Sequence, residues 1–145
     1  METRRKDQTP SKSYYNLIIS ENTVSSFSNW TGLALLDSFT VLGYDLYKDD
    51  WNYVYYPLIY LRCLFEKTFC FTRNYLYRNE KTSDNSSLSE QIRFMEKYYF
   101  YDNIAYSFQP NLLYAAIAKG LQIKEEREEL ARQIKENAKD ENEKR

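Results

Sequence analysis

Between Pro57 and Tyr77 the chain carries Leu58, Leu61, Cys63, Leu64, Phe65, Thr68, Phe69, Phe71, Tyr75 and Leu76, and this run most constrains the fold. On a helix of 3.6 residues per turn these positions fill almost two faces, whereas a surface helix needs a single apolar stripe. Such a helix must be central in a bundle or covered by another subunit. Pro57 suits its first turn. Arg62, Glu66, Lys67, Arg73 and Arg78 leave a narrow polar side, with Arg62 and Glu66 spaced i, i+4.

The remaining periodicity is also helical. Trp30, Leu33, Ala34, Leu36, Phe39, Val41 and Leu42 recur at i, i+3, i+4, with Asn29 placed to cap and Gly43 to terminate, so the pattern predicts a helix over 29–43. Residues 44–51 read as a connector in which Asp49 or Asp50 caps the next helix; neighbouring residues point in different directions, which argues against paired catalytic carboxylates. A polar loop over 80–87 precedes an amphipathic helix marked by Leu88, Ile92, Met95 and Tyr99. After a break at 102–109, Pro110 opens a helix over 110–137 whose first half is apolar and whose second half is a charged ladder supported by i, i+4 pairs. Tyr14 to Ile19 fit a short helical or extended anchor. The expected fold class is thus all-α, a small irregular domain of about four helices over 14–137 with a long charged C-terminal helix, flanked by disordered tails at 1–13 and 138–145.

Composition narrows the chemistry. The 145 residues contain no His, which removes Ser-His and Cys-His nucleophile pairs and the commonest metal ligand. Cys63 and Cys70, seven positions apart, would sit about 10 Å apart along a helix, too far for a disulfide, and read as buried thiols. No catalytic residue, cofactor or metal site is expected. Only three glycines are present, and no phosphate-cradling loop is found. Twenty basic against 21 acidic residues give no electrostatic reason to expect nucleic acid. The longest uncharged stretches, 22–36 and 103–118, fall short of the ~20 apolar residues of a membrane span. Fifteen Tyr, eight Phe and two Trp exceed what one small core needs. Such rings suit surfaces buried against a partner, although AT-rich codon bias yields the same excess.

Two short motifs lead nowhere. Arg73-Asn74 with Asn79 is similar to the motif of helical ribonucleases of the HEPN kind without its catalytic His, and Leu76-Tyr77-Arg78 spells the LYR signature far from the N-terminal position usual for it.

From Phe39 onward the order of features resembles the subunit 7 family of mitochondrial ubiquinol-cytochrome c reductase, the helical matrix-side subunit of respiratory complex III. The aromatic-x-x-Leu-Gly element leading to Asp-Asp is matched by Phe39-Thr40-Val41-Leu42-Gly43 and Asp49-Asp50, with about two residues inserted. Pro57 and Tyr60-Leu61-Arg62 match the Pro and Tyr-x-Arg, and Asp102, Tyr106, Pro110 and Glu126-Arg127-Glu128-Glu129 keep the family's order. The likeness spans about residues 39–132. It departs at Leu88 to Ile92, where the family's Leu-Pro-x-x-x-Trp is missing, and at Phe65 and Phe69, where further basic residues are usual. It implies a non-catalytic accessory subunit without redox cofactor, peripheral on the matrix side of the inner membrane, which contacts cytochrome b and the core proteins and supports assembly. It further implies interface or capping roles for Phe39, Leu42, Gly43, Asp49, Asp50, Tyr60, Arg62, Tyr106 and Pro110, and a lineage-specific segment over 1–38. The alternatives are an accessory subunit of another mitochondrial complex, such as complex I, and a free-standing helical binding module.

Overall fold

The computed structural model describes residues 11–79 and 85–143. It runs α1 (Lys12–Asn22), β1 (Thr23–Val24), β2 (Trp30–Ala34), β3 (Phe39–Gly43), a π-helical segment (Asp50–Tyr60), α2 (Leu61–Asn79), α3 (Asn85–Tyr98), α4 (Phe108–Gly120) and α5 (Ile123–Glu143). The chain is mostly helical, but a three-stranded antiparallel sheet, ordered β1-β2-β3, means that it is not all-α.

The helix expected over 29–43 is a hairpin instead. Trp30, Gly32 and Ala34 are buried while Thr31 is exposed, a period of two that the i, i+3 reading obscured. Trp30 pairs with Gly43 and Ala34 with Phe39. The Leu35 amide donates to the Ser38 carbonyl at 2.8 Å, leaving Leu36 and Asp37 as the turn. Thr31, Thr40 and Val41 favour this extended conformation. Asn29 caps no helix; its carbonyl accepts from the Tyr44 amide at 3.0 Å. Gly43 is not a helix terminator but ends β3, where a Cβ would lie 2.8 Å from the Trp30 Cβ.

The core begins at this sheet. Phe27 stacks on Trp30 at 5.1 Å, Trp30 meets Trp51 edge-on at 5.2 Å, and Trp51 meets Tyr55 at 4.9 Å. Ile59, Cys63, Leu113, Tyr114, Ile117, Leu121 and Ile123 continue it into the helices. Pro57 does not open a helix. It lies inside the π-helical segment that merges into α2, where its missing N–H breaks the regular ladder. Pro110 does fall in a first turn, that of α4. The single helix expected over 110–137 is divided at Leu121 and Gln122. Gln122 has φ 56°, a left-handed joint from which α5 folds back along α2. α5 stays helical past residue 137, to Glu143. Ser11 caps α1, its hydroxyl accepting from the Tyr14 amide at 3.3 Å, which makes the Tyr14 to Ile19 anchor helical. The remainder of the expected basic tail, residues 1–10, and most of the 80–87 loop lie outside the described residues.

Gly120 joins the layers, because a Cβ there would lie 2.8 Å from both the carbonyl carbon and the Cβ of Ala34. Gly→Ala in a helix normally stabilises by about 0.5–1 kcal/mol. Gly120→Ala is expected to do the opposite, costing about 1–3 kcal/mol through overpacking against strand backbone that cannot yield. A thermal melt checks the sign.

Candidate functional site

The inward face of α2 is built from Cys63, Glu66, Cys70 and Asn74, at spacings of three and four residues. Two of these four residues are polar, so the element that reads as the most apolar helix turns a mixed face to the core. Glu66 is 0% exposed. Its carboxylate accepts from the Tyr114 hydroxyl at 3.1 Å, from Arg62 Nε at 3.2 Å and from Arg127 Nη2. Arg127 Nη2 also donates to the Tyr114 hydroxyl at 2.8 Å, and Arg127 Nη1 lies 3.6 Å from the exposed carboxylate of Asp102. Arg62 Nη2 donates to the Tyr99 carbonyl at 2.9 Å, and its guanidinium carbon lies 5.4, 5.6 and 5.4 Å from the ring centroids of Tyr99, Tyr101 and Tyr114. Three helices, α2, α4 and α5, thus meet on one buried carboxylate. About two turns further along α2, Asn74 Nδ2 donates to Glu126 Oε2 at 2.8 Å, and Lys67, next to Glu66, pairs with Oε1 of the same carboxylate at 3.0 Å.

The protonation states are those of a structural cluster. Burial, reinforced by the Glu66 charge, pushes the Cys63 thiol up to about 12, and burial does the same to Cys70. Burial and the Glu66 charge also raise the Tyr114 hydroxyl. Burial works against the charge on Arg127, but the hydrogen bond to Glu66 outweighs it and keeps the guanidinium protonated beyond its ordinary range. A nucleophile or general base near neutral pH needs the opposite, a thiolate or phenolate made accessible. The cluster holds charge in place between α2, α4 and α5. No group of three His, Cys, Asp or Glu side chains among the described residues is arranged to hold a metal ion.

The outward face of α2 carries large apolar side chains interspersed with Thr68 and Thr72. Leu58 at the end of the π-helical segment is 64% exposed, and Leu61, Phe71 and Tyr75 are 57–58% exposed, with Phe65 half-exposed beside them. Between α2 and α3 lies a cleft of about 340 Å³ lined by Phe65, Phe69, Glu90, Gln91, Phe94 and Met95. It adjoins a second hollow of about 380 Å³ lined by Arg62, Phe94, Tyr98 and Tyr99.

The residues singled out in the sequence do not converge. Arg62 is in the ion cluster, and Tyr60 beside it donates its hydroxyl to the Asp37 carbonyl at 3.4 Å, tying α2's start to the hairpin turn. Phe39 packs near Tyr56, ring centroids 6.3 Å apart, and Gly43 is used inside the sheet. Leu42 and Tyr106 are exposed. Asp49 and Asp50 are exposed at the start of the π-helical segment; Asp49 has helical backbone angles and makes no side-chain capping bond, contrary to the expected role. Pro110 serves α4. Glu66, Tyr114, Arg127 and Asn111 were not foreseen as a set. Asn111 Oδ1 accepts from the amides of Ile104 and Ala105 at 2.8 and 3.0 Å and so shapes the loop before α4. In the two motifs set aside earlier, Arg73 donates to Gln91 and Arg78 pairs with Glu129 at 3.2 Å, both structural contacts. No family model, curated protein or solved structure matches the chain.

Proposed function

We propose that this chain is a non-catalytic accessory subunit whose outward α2 face is covered by protein partners. The observation that carries the reading is the row Leu58, Leu61, Phe65, Phe71 and Tyr75, large apolar side chains left in water along one helix. Large apolar side chains left exposed along one side of a helix suit an interaction site, and their aromatic content suits a protein interface. No described helix is long and apolar enough to cross a membrane, in keeping with peripheral attachment. The partners we propose are cytochrome b and the core proteins on the matrix side of complex III, as the resemblance over residues 39–132 implies.

The test is blue-native separation of detergent-solubilised mitochondria followed by mass spectrometry, with the wild-type chain and a Leu58→Asp, Phe71→Asp, Tyr75→Asp variant. Co-migration of the wild type with complex III, lost in the folded variant, is the expected result. Co-migration with complex I alone would replace the address. A folded chain that co-migrates with no complex would overturn the accessory reading itself.

A further inference from the structure

The groove between α2 and α3 is not uniformly apolar, and its charges indicate what kind of segment it takes. Its upper cleft is walled by Phe65, Phe69, Phe94 and Met95 together with Gln91 and the acidic Glu90, so the only carboxylate of the groove stands at the end away from Arg62 among the described residues. At its lower end stands Arg62, beside Tyr98 and Tyr99. Lys97 Nζ lies 5.0 Å from the Tyr98 ring centroid and has no carboxylate partner among the described residues. Arg62 shares the one buried carboxylate of Glu66 with Arg127, which also has the exposed Asp102 carboxylate at 3.6 Å, whereas among the described residues Arg62 has Glu66 alone. Arg62 Nη1 makes no hydrogen bond among the described residues, and no acidic residue lines the lower hollow. An apolar slot therefore opens onto a cationic, aromatic-walled end. Phe94, which lines both hollows, and Tyr98 are one helical turn apart, about 6 Å along α3.

We infer that this groove binds an acidic amphipathic helix of a protein partner, with an apolar anchor seated against Phe94 and a carboxylate one turn further on received by Arg62 and Lys97. The recognition is helix-in-groove, with the hydrophobic anchor supplying affinity and the charge setting register. This rests on the docking reading above and specifies the chemistry of one partner segment.

The probe is a fluorescein-labelled synthetic amphipathic helix with a Leu anchor and a Glu four residues later, compared with the same peptide carrying Gln, titrated with the full chain by anisotropy. The Glu peptide is expected to bind about tenfold tighter than the Gln peptide at low salt, with the difference shrinking as salt rises. Lys97→Glu should remove that preference, and Phe94→Asp should abolish binding of both. Both side chains are exposed, so unchanged circular dichroism separates loss of binding from loss of fold. Equal affinity for the two peptides, binding indifferent to Lys97→Glu, no binding of either, or a Phe94-dependent dimer occupying the groove in sedimentation would each overturn the inference. Failure here with co-migration retained in native gels removes this segment alone and leaves the accessory reading standing.

Discussion

Glu66→Ala is expected to destabilise the chain by about 3–5 kcal/mol, the range for breaking a buried ion pair from one side. The magnitude follows from what is left behind. Arg62 and Arg127 would face each other without the carboxylate that both contact, and the Tyr114 hydroxyl would lose its acceptor. A domain of this size has only about 5–15 kcal/mol to lose. Glu66→Gln retains the volume and can still accept from Tyr114, so the part of the loss it reproduces is owed to charge. Joint replacement of Glu66 by Leu, Arg62 by Met and Arg127 by Leu should recover most of the stability, because apolar substitutes for a buried ionic cluster are often neutral or better. Urea midpoints measure all three. A Glu66→Ala chain within about 0.5 kcal/mol of wild type would show that the cluster is not what joins α2 to α5.

The second large effect is alkaline unfolding. Cys63 and Cys70 are both raised by burial from 9.0 to about 12. A group whose folded pKa lies above its unfolded value contributes stability that is complete below the unfolded value and lost as pH climbs through the folded one. The window here is pH 9 to 12, and within it each thiol steepens the fall by up to about 1.4 kcal/mol per pH unit. Tyr114 adds to the slope above its ordinary value near 10, since its hydroxyl is raised too. The acid side is gentler. Lys67 and Asn74 overcome the burial of Glu126 and lower it, and Arg132 with Gln133 holds Glu129 near 2, so the support from these carboxylates is lost only as pH falls through the acid range, and the solvent that reaches the half-buried Glu129 and its exposed partner Arg132 makes that share small. Urea titrations under reductant between pH 8.5 and 10.5 should show the steep limb in wild type and a flattened one in the Cys63→Ala, Cys70→Ala double variant. An identical slope in the two chains would remove the thiols from the account.

How much of this could be read from the sequence depends on the range over which each signal acts. The i, i+4 spacing of Arg62 and Glu66 is local, and the pair forms at 3.2 Å. The helices marked by Leu88 and Pro110 were likewise visible from neighbours a turn apart. The hairpin was hidden because Trp30, Leu33 and Ala34 satisfy a helical period while Trp30, Gly32 and Ala34 satisfy a strand period, and a short apolar run does not choose between them. Thr31, Thr40 and the turn-favouring Asp37 between them are the available signals for a hairpin. The role of Glu66 was unreadable for another reason. Its deciding partners, Tyr114 and Arg127, stand 48 and 61 positions away, so the one acid on α2, which reads as part of a solvated stripe, is fully buried. The left-handed Gln122, which lets α5 turn back so that Arg127 arrives there, has no marker in its residue type.

The 61 positions separating Glu66 from Arg127 also set a clock. The hairpin closes over a few residues and can form as soon as it leaves the ribosome, whereas the second guanidinium of the cluster does not yet exist when α2 emerges. At about 5–20 residues per second of synthesis, the delay is roughly 3–12 s. At first the acid of α2 has Arg62 alone; the Tyr114 hydroxyl is synthesised 48 positions after it and Arg127 not until 61. Nascent chains halted between residues 80 and 126 should therefore be the species that chaperones retain, and release should coincide with the arrival of Arg127.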